Sequence, residues 1–135
     1  MALSSVRILL VEDDVTLCNL LSKTLCDAGY TVAHFHEAMG AYAYLSEEPC
    51  ALLVTDIIMS GMDGIELARR AKELDPDIKV MFITGFAAVA LNPNAQAPMD
   101  AELLSKPFHL RDLVHAVDAL LSEEIEPRLL ELAEP

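Results

Sequence analysis

The sequence predicts an α/β fold: a doubly wound, five-stranded parallel sheet in the order 2-1-3-4-5, flanked by five helices. Three observations carry that expectation. Apolar runs of strand length recur along the 135 residues and alternate with stretches of helical periodicity. Three of those runs, VRILLV (6–11), ALLVT (51–55) and VMFIT (80–84), are apolar almost throughout, as strands buried on both faces of a parallel sheet must be. TVAHF (31–35) alternates instead, which suits an edge with one face in solvent. Alternating strands and helices imply right-handed crossovers, and the order 2-1-3-4-5 places the most apolar strands inside.

Each element has its own signals. After the first strand, Asp14 is placed to cap a helix whose apolar positions are Leu17, Leu20, Leu21, Leu25 and Ala28. Gly29 ends it at the position after the C-cap, where a left-handed backbone is common. The second strand leads to a weaker helix over 37–47, closed by Pro49. The third strand ends at Asp56, and Gly64 then opens the amphipathic IELARRAKEL, which stops before Asp75-Pro76. Beyond the fourth strand, FAAVALNP reads as a short helix cut by Pro93, followed by a loop of small residues through Pro98. AELLS (101–105) is the last strand, Lys106-Pro107 the turn after it, and LRDLVHAVDALLSE the closing helix.

This length suits one domain, over residues 1–123, with 124–135 as an acidic C-terminal tail. No apolar run approaches the roughly 20 residues that span a bilayer. The first one reaches acid at Glu12, too soon for a secretory signal. A formal charge of −13 argues against nucleic acid, because phosphate-backbone binding needs a stripe of lysine and arginine. Cys18, Cys26 and Cys50 are odd in number and lack CxxC spacing, so they read as free thiols in a reducing cytoplasm. His34, His36, His109 and His115 lack metal-ligand spacing and read as surface residues.

The chemistry collects at the carboxyl ends of the strands, where a sheet of this order opens its crevice. The first strand ends in Glu12-Asp13-Asp14, the third in Asp56, the fourth in Thr84 and the fifth in Lys106. Neighbouring strands lie roughly 4.8 Å apart, so Asp13 and Asp56 face each other across one spacing. Lys106, about two spacings away, has a side chain long enough to cover most of the gap. Carboxylates this close raise one another's pKa unless a cation intervenes, and Mg²⁺ is held by one or two carboxylates with water and phosphate. A carboxylate nucleophile, a neutralising lysine and a strand-end hydroxyl then suit phosphoryl transfer onto Asp56. Taken singly, each has an ordinary reading: the acidic triplet as a helix cap, Thr84 as a strand end, Lys106-Pro107 as a turn. Their convergence on four adjacent strand ends is what the ordinary readings leave unexplained.

These residues resemble the receiver domain of two-component response regulators, from residue 6 to about 122. The resemblance implies that Asp56 is the phosphoacceptor, Thr84 the switch hydroxyl and Lys106 the family's lysine. It also implies a Mg²⁺ site made by Asp13, Asp56 and the backbone carbonyl of Ile58, with Glu12 acting through water, and a cis Lys106–Pro107 bond. A histidine kinase or histidine phosphotransferase would supply the phosphoryl group, and the chain would catalyse only its own phosphorylation and dephosphorylation. KVMFITGFAAVALNP (79–93) and LLSKPFHLRDLV (103–114) are similar to a single-domain subgroup of alphaproteobacteria that acts in regulated proteolysis by the AAA+ protease ClpXP. With no output domain expected after the last helix, a protein partner would carry the signal, met on the face of the short helix, the fifth strand and the closing helix. Two positions depart from the family pattern: Ser60 replaces a loop proline, and Leu103 replaces the aromatic residue before the lysine.

Three other functions compete. A phosphate sink for another regulator needs the same site without the partner. An aspartate-based phosphohydrolase needs a second acid two residues after the nucleophile, and that position is Ile58. A flavodoxin-like cofactor binder would want a phosphate-cradling loop after the first strand, where EDDVTL is acidic and repels phosphate.

Overall fold

The computed structural model describes residues 7–59, 61–85 and 101–133, with side chains described as far as Ser122. Five strands, β1 (Arg7–Val11), β2 (Thr31–Phe35), β3 (Leu52–Asp56), β4 (Lys79–Thr84) and β5 (Glu102–Ser105), pair in parallel in the order β2-β1-β3-β4-β5. Among the described residues there are four helices: α1 (Val15–Asp27), α2 (Ala38–Glu47), α3 (Gly64–Leu74) and α4 (Leu110–Ala133). The short helix expected at 86–93, the loop through Pro98 and Ser60 lie outside the described residues.

The central strands are apolar because both their faces are covered. Alternate residues turn to opposite sides: Leu9, Val11, Leu53, Val80 and Phe82 pack with α2 and α3 residues such as Ala41 and Ala68. Ile8, Leu10, Leu52, Val54, Met81 and Ile83 pack against Leu21 and Leu25 of α1 and Leu113 and Val117 of α4. This is the doubly wound arrangement, and it separates two cores across one sheet. β2, at the edge, has no fully buried residue.

The helix starts follow their caps. Asp14 accepts a hydrogen bond from the Leu17 amide at 3.1 Å, Glu37 from Gly40 at 2.7 Å, and Asp63 from Glu66 at 2.8 Å. Gly29 has φ of +105° after α1, a backbone that a side chain would strain. The buried stripe of α1 is Cys18, Leu21, Ser22 and Leu25, whereas Leu20 and Ala28 face outward. A perfect i, i+3, i+4, i+7 spacing thus outweighs the greater hydrophobicity of Leu20. The closing helix is longer than the sequence predicts, running past Ser122 and Pro127 to Ala133. Leu, Glu, Ala and Arg dominate that stretch and are good helix formers, and the helix continues through Pro127 against the roughly 3 kcal/mol that an interior proline costs.

All three cysteines are free, with Cys18 and Cys50 buried and Cys26 exposed. Burial pushes the thiols of Cys18 and Cys50 up to about 11. At pH 8 a thiol reagent should therefore titrate one cysteine rapidly in the native protein and all three in denaturant. Rapid native reaction of more than one contradicts the packing described.

Candidate functional site

The carboxyl ends of β1, β3, β4 and β5 bring the candidate residues together. Register pairs Val11 with Thr55, so Glu12 and Asp56, the next residues, stand level on adjacent strands. Asp56 pairs with Ile83 and Thr84 with Ser105, which sets Thr84 one residue beyond Asp56 and next to the approach of Lys106. Lys106 is tied to that end by its own amide, which donates to the Thr84 carbonyl at 2.7 Å. The Lys106–Pro107 bond is cis.

Lys106 spans the full gap. Its Nζ donates to Glu12 Oε1 and to Asp56 Oδ2, both at 2.9 Å. The second oxygen of Asp56 accepts from the Ile58 amide at 3.2 Å, and the second oxygen of Glu12 from the Asp14 amide at 3.0 Å. Glu12 is 1% exposed, Asp56 7% and Thr84 1%, while Asp13 stands in solvent at the mouth. Ligand oxygens of Glu12, Asp13 and Asp56 all lie within 4.8 Å of one another. Three carboxylates against one ammonium leave this pocket short of positive charge. Its donors are all oxygens, the chemistry a hard divalent cation selects.

The electrostatics bear this out. Burial pushes the Glu12 carboxyl above its ordinary value, despite the opposing pull of Lys106 and the Asp14 amide. For Lys106 burial acts to lower the pKa, but hydrogen bonds to Asp56 and Glu12 outweigh it and leave the ammonium raised. The lysine is therefore charged across the physiological range and holds both acids in place.

Two features went unread in the sequence. Glu12 grips Lys106 directly, as well as facing Asp13 and Asp56. Gly64, the first residue of α3, abuts the backbone of Asp56: a Cβ there would lie 2.0 Å from the Asp56 carbonyl oxygen. Its amide donates to the Ile57 carbonyl at 2.9 Å, so the start of α3 is pressed against the end of β3. Asp63-Gly64 shortly after a strand-end aspartate was the available signal. The loop between is anchored by Met59, buried, and Met62, half-buried against the α2–α3 core. All four histidines are exposed and outside the acidic cluster. Leu103, in the family's aromatic position, is 44% exposed on β5.

A parallel sheet of this order, with acids, a hydroxyl and a lysine at its carboxyl end, is the arrangement expected of a receiver domain. Residues 8–118 match the response regulator receiver domain, and the chain belongs to that family. It is 63% identical over 115 residues to the response regulator receiver protein CpdR of Brucella abortus (strain 2308), across 85% of this chain and 96% of that one. Among solved structures, a response regulator receiver protein from Sinorhizobium medicae WSM419 superposes with a TM-score of 0.80 at 35% identity, over 90% of this chain and 98% of that one. TrrA of Thermotoga maritima, solved in complex with Mg²⁺ and BeF, gives 0.77 at 25% identity, over 85% of this chain and 98% of that one. No helix among the described residues is long and apolar enough to cross a membrane.

Proposed function

We propose that this chain is a phosphorylation switch in which Asp56 takes a phosphoryl group from a histidine kinase or a histidine phosphotransferase. The observation that carries the reading is the Asp56 carboxylate, buried, bonded to Lys106, and within 4.8 Å of two further acids. In the transfer, an Asp56 oxygen attacks phosphorus while the bond from phosphorus to the donor nitrogen breaks, and the departing imidazole takes up a proton. Lys106 offsets the charge arriving on Asp56, and the Thr84 hydroxyl is the group we assign to a phosphoryl oxygen. Glu12 holds the lysine at the right height. Asp13, Asp56 and the Ile58 carbonyl would hold Mg²⁺, with Glu12 contributing through water. The ion supplies neutralisation of the phosphoryl oxygens, a large part of catalysis in phosphoryl transfer. On this reading the chain catalyses only its own phosphorylation and dephosphorylation, in the cytoplasm.

The likeness to CpdR supports a further step: phosphorylation changes binding to a protein partner, in regulated proteolysis by ClpXP. A change in partner affinity of about 1–3 kcal/mol is enough for such coupling. With Leu103 in the aromatic position, the change would travel through backbone and helix shifts from Thr84 and Lys106.

Cation binding tests the site without any donor. Mg²⁺ relieves repulsion among Glu12, Asp13 and Asp56, so it should raise the melting temperature of the parent chain by linkage. Asp13→Ala removes one direct ligand and should abolish that rise at millimolar Mg²⁺. The same variant should lose phosphorylation by acetyl phosphate. An unchanged Mg²⁺ response in Asp13→Ala sinks the assignment.

A further inference from the structure

At the opposite end of the sheet from Asp56, the carboxyl ends of α2 and α3 converge on an open groove of about 290 Å³. Leu45, Pro49 and Leu74 line it with apolar surface, and Glu47 and Asp75 stand at its rim. Leu74 is 44% exposed, an apolar residue left in solvent where α3 ends. The volume is just under the roughly 300 Å³ at which small-molecule sites begin, so it suits one or two side chains of a peptide.

At α2 the charge runs against the helix dipole. A helix carboxyl end carries partial negative charge and favours Lys or Arg in its last turn. α2 has no basic residue there, ends in Glu47 and is capped by Glu48. α3 carries Lys72 in its last turn, its Nζ donating to the Pro76 carbonyl at 3.5 Å, with Asp75 as the C-cap. Glu48 is paired with Arg7 at 2.7 Å, whereas among the described residues neither Glu47 nor Asp75 has an ion-pair partner. Glu47 and Asp75, beside the carboxyl end of α2, thus put negative charge at the rim of an apolar floor. Such local conflict is where a binding role is to be sought.

We propose that this groove docks a basic protein segment, one that places an apolar side chain on Leu45 and Leu74 and an Arg or Lys against Glu47 and Asp75. The charge complementarity specifies the occupant: an acidic segment is repelled, and a second copy of this chain, at −13, is repelled too. The groove lies a full strand length from Asp56, roughly 17 Å at 3.3 Å per residue. Docking there leaves the phosphorylation site open, so a partner can be held whether or not Asp56 is modified.

The test is a titration of the isotopically labelled full chain with an alternating leucine–arginine peptide, followed by amide chemical shifts. The expected result is saturable shifts centred on 45–50 and 74–77, weakened by salt and absent with a leucine–glutamate peptide. Glu47→Gln with Asp75→Asn removes both charges, and Asn can keep the turn in which Asp75 accepts from the Asp77 amide at 3.0 Å. This double variant should bind the basic peptide about tenfold more weakly with its spectrum otherwise unchanged. Shifts elsewhere on the surface, or equal binding by the double variant or by the acidic peptide, overturn the proposal. Absence of shifts overturns it as well.

Discussion

Asp56→Asn takes up no phosphoryl group from acetyl phosphate and remains folded. The amide has nearly the shape of the carboxylate but lacks its nucleophilic, anionic oxygen pair, so incorporation should fall to background. Its oxygen can still accept from the Ile58 amide or from Lys106, which keeps its 2.9 Å bond to Glu12. One charge leaves a cluster of three acids, so the loss of an ion pair is offset by relief of repulsion. The melting temperature should stay within a few degrees of the parent, roughly the effect of 1 kcal/mol. Intact-mass measurement and a circular dichroism melt read both parts. Incorporation equal to the parent contradicts the role assigned to Asp56.

The second large effect is on folding. Gly64→Ala puts a Cβ where the Asp56 carbonyl oxygen already stands, 2.0 Å away, with the Asp56 carbonyl carbon at 2.9 Å and the Ile57 Cα at 3.0 Å. These are backbone atoms at and just past the end of β3, so none can move as a flexible side chain would. Either α3 shifts outward, uncovering Ile65 and Ala68, or the end of β3 bends. Overpacking of this kind costs about 3 kcal/mol or more. The expected fall in melting temperature is roughly 10 °C. Glycine is required here for close approach, since its φ is not in the left-handed region. A fall of under about 2 °C would show that the two backbones are not in contact.

The order of the sheet was legible because burial on both faces leaves an unmistakable composition. The strands of the three apolar runs had to be interior, and β1, β3 and β4 are the inner strands of the sheet. The strand-end residues were legible for a related reason: a polar residue closing an apolar run marks the point where a strand leaves the core. Lys106 was placed by its position at the end of the fifth strand, and its 2.9 Å bond to Asp56 needs only the reach of its side chain. What stayed hidden depends on contacts between residues distant along the chain. The direct grip of Glu12 on Lys106 joins residues 94 apart, and nothing local announces it. The inward turn of Cys18 and Ser22 in place of Leu20 is a matter of helix phase, which hydrophobicity alone misassigns. The length of the closing helix was obscured by Pro127, a breaker whose effect is local.

The most direct measurement is peptide mapping by mass spectrometry after the parent chain is treated with acetyl phosphate and Mg²⁺. The expected result is a single phosphoryl group, labile to base and to hydroxylamine, on the peptide holding Asp56, and none when the cation is chelated. A phosphoryl group on any other residue, or none at Asp56 with Mg²⁺ present, contradicts it.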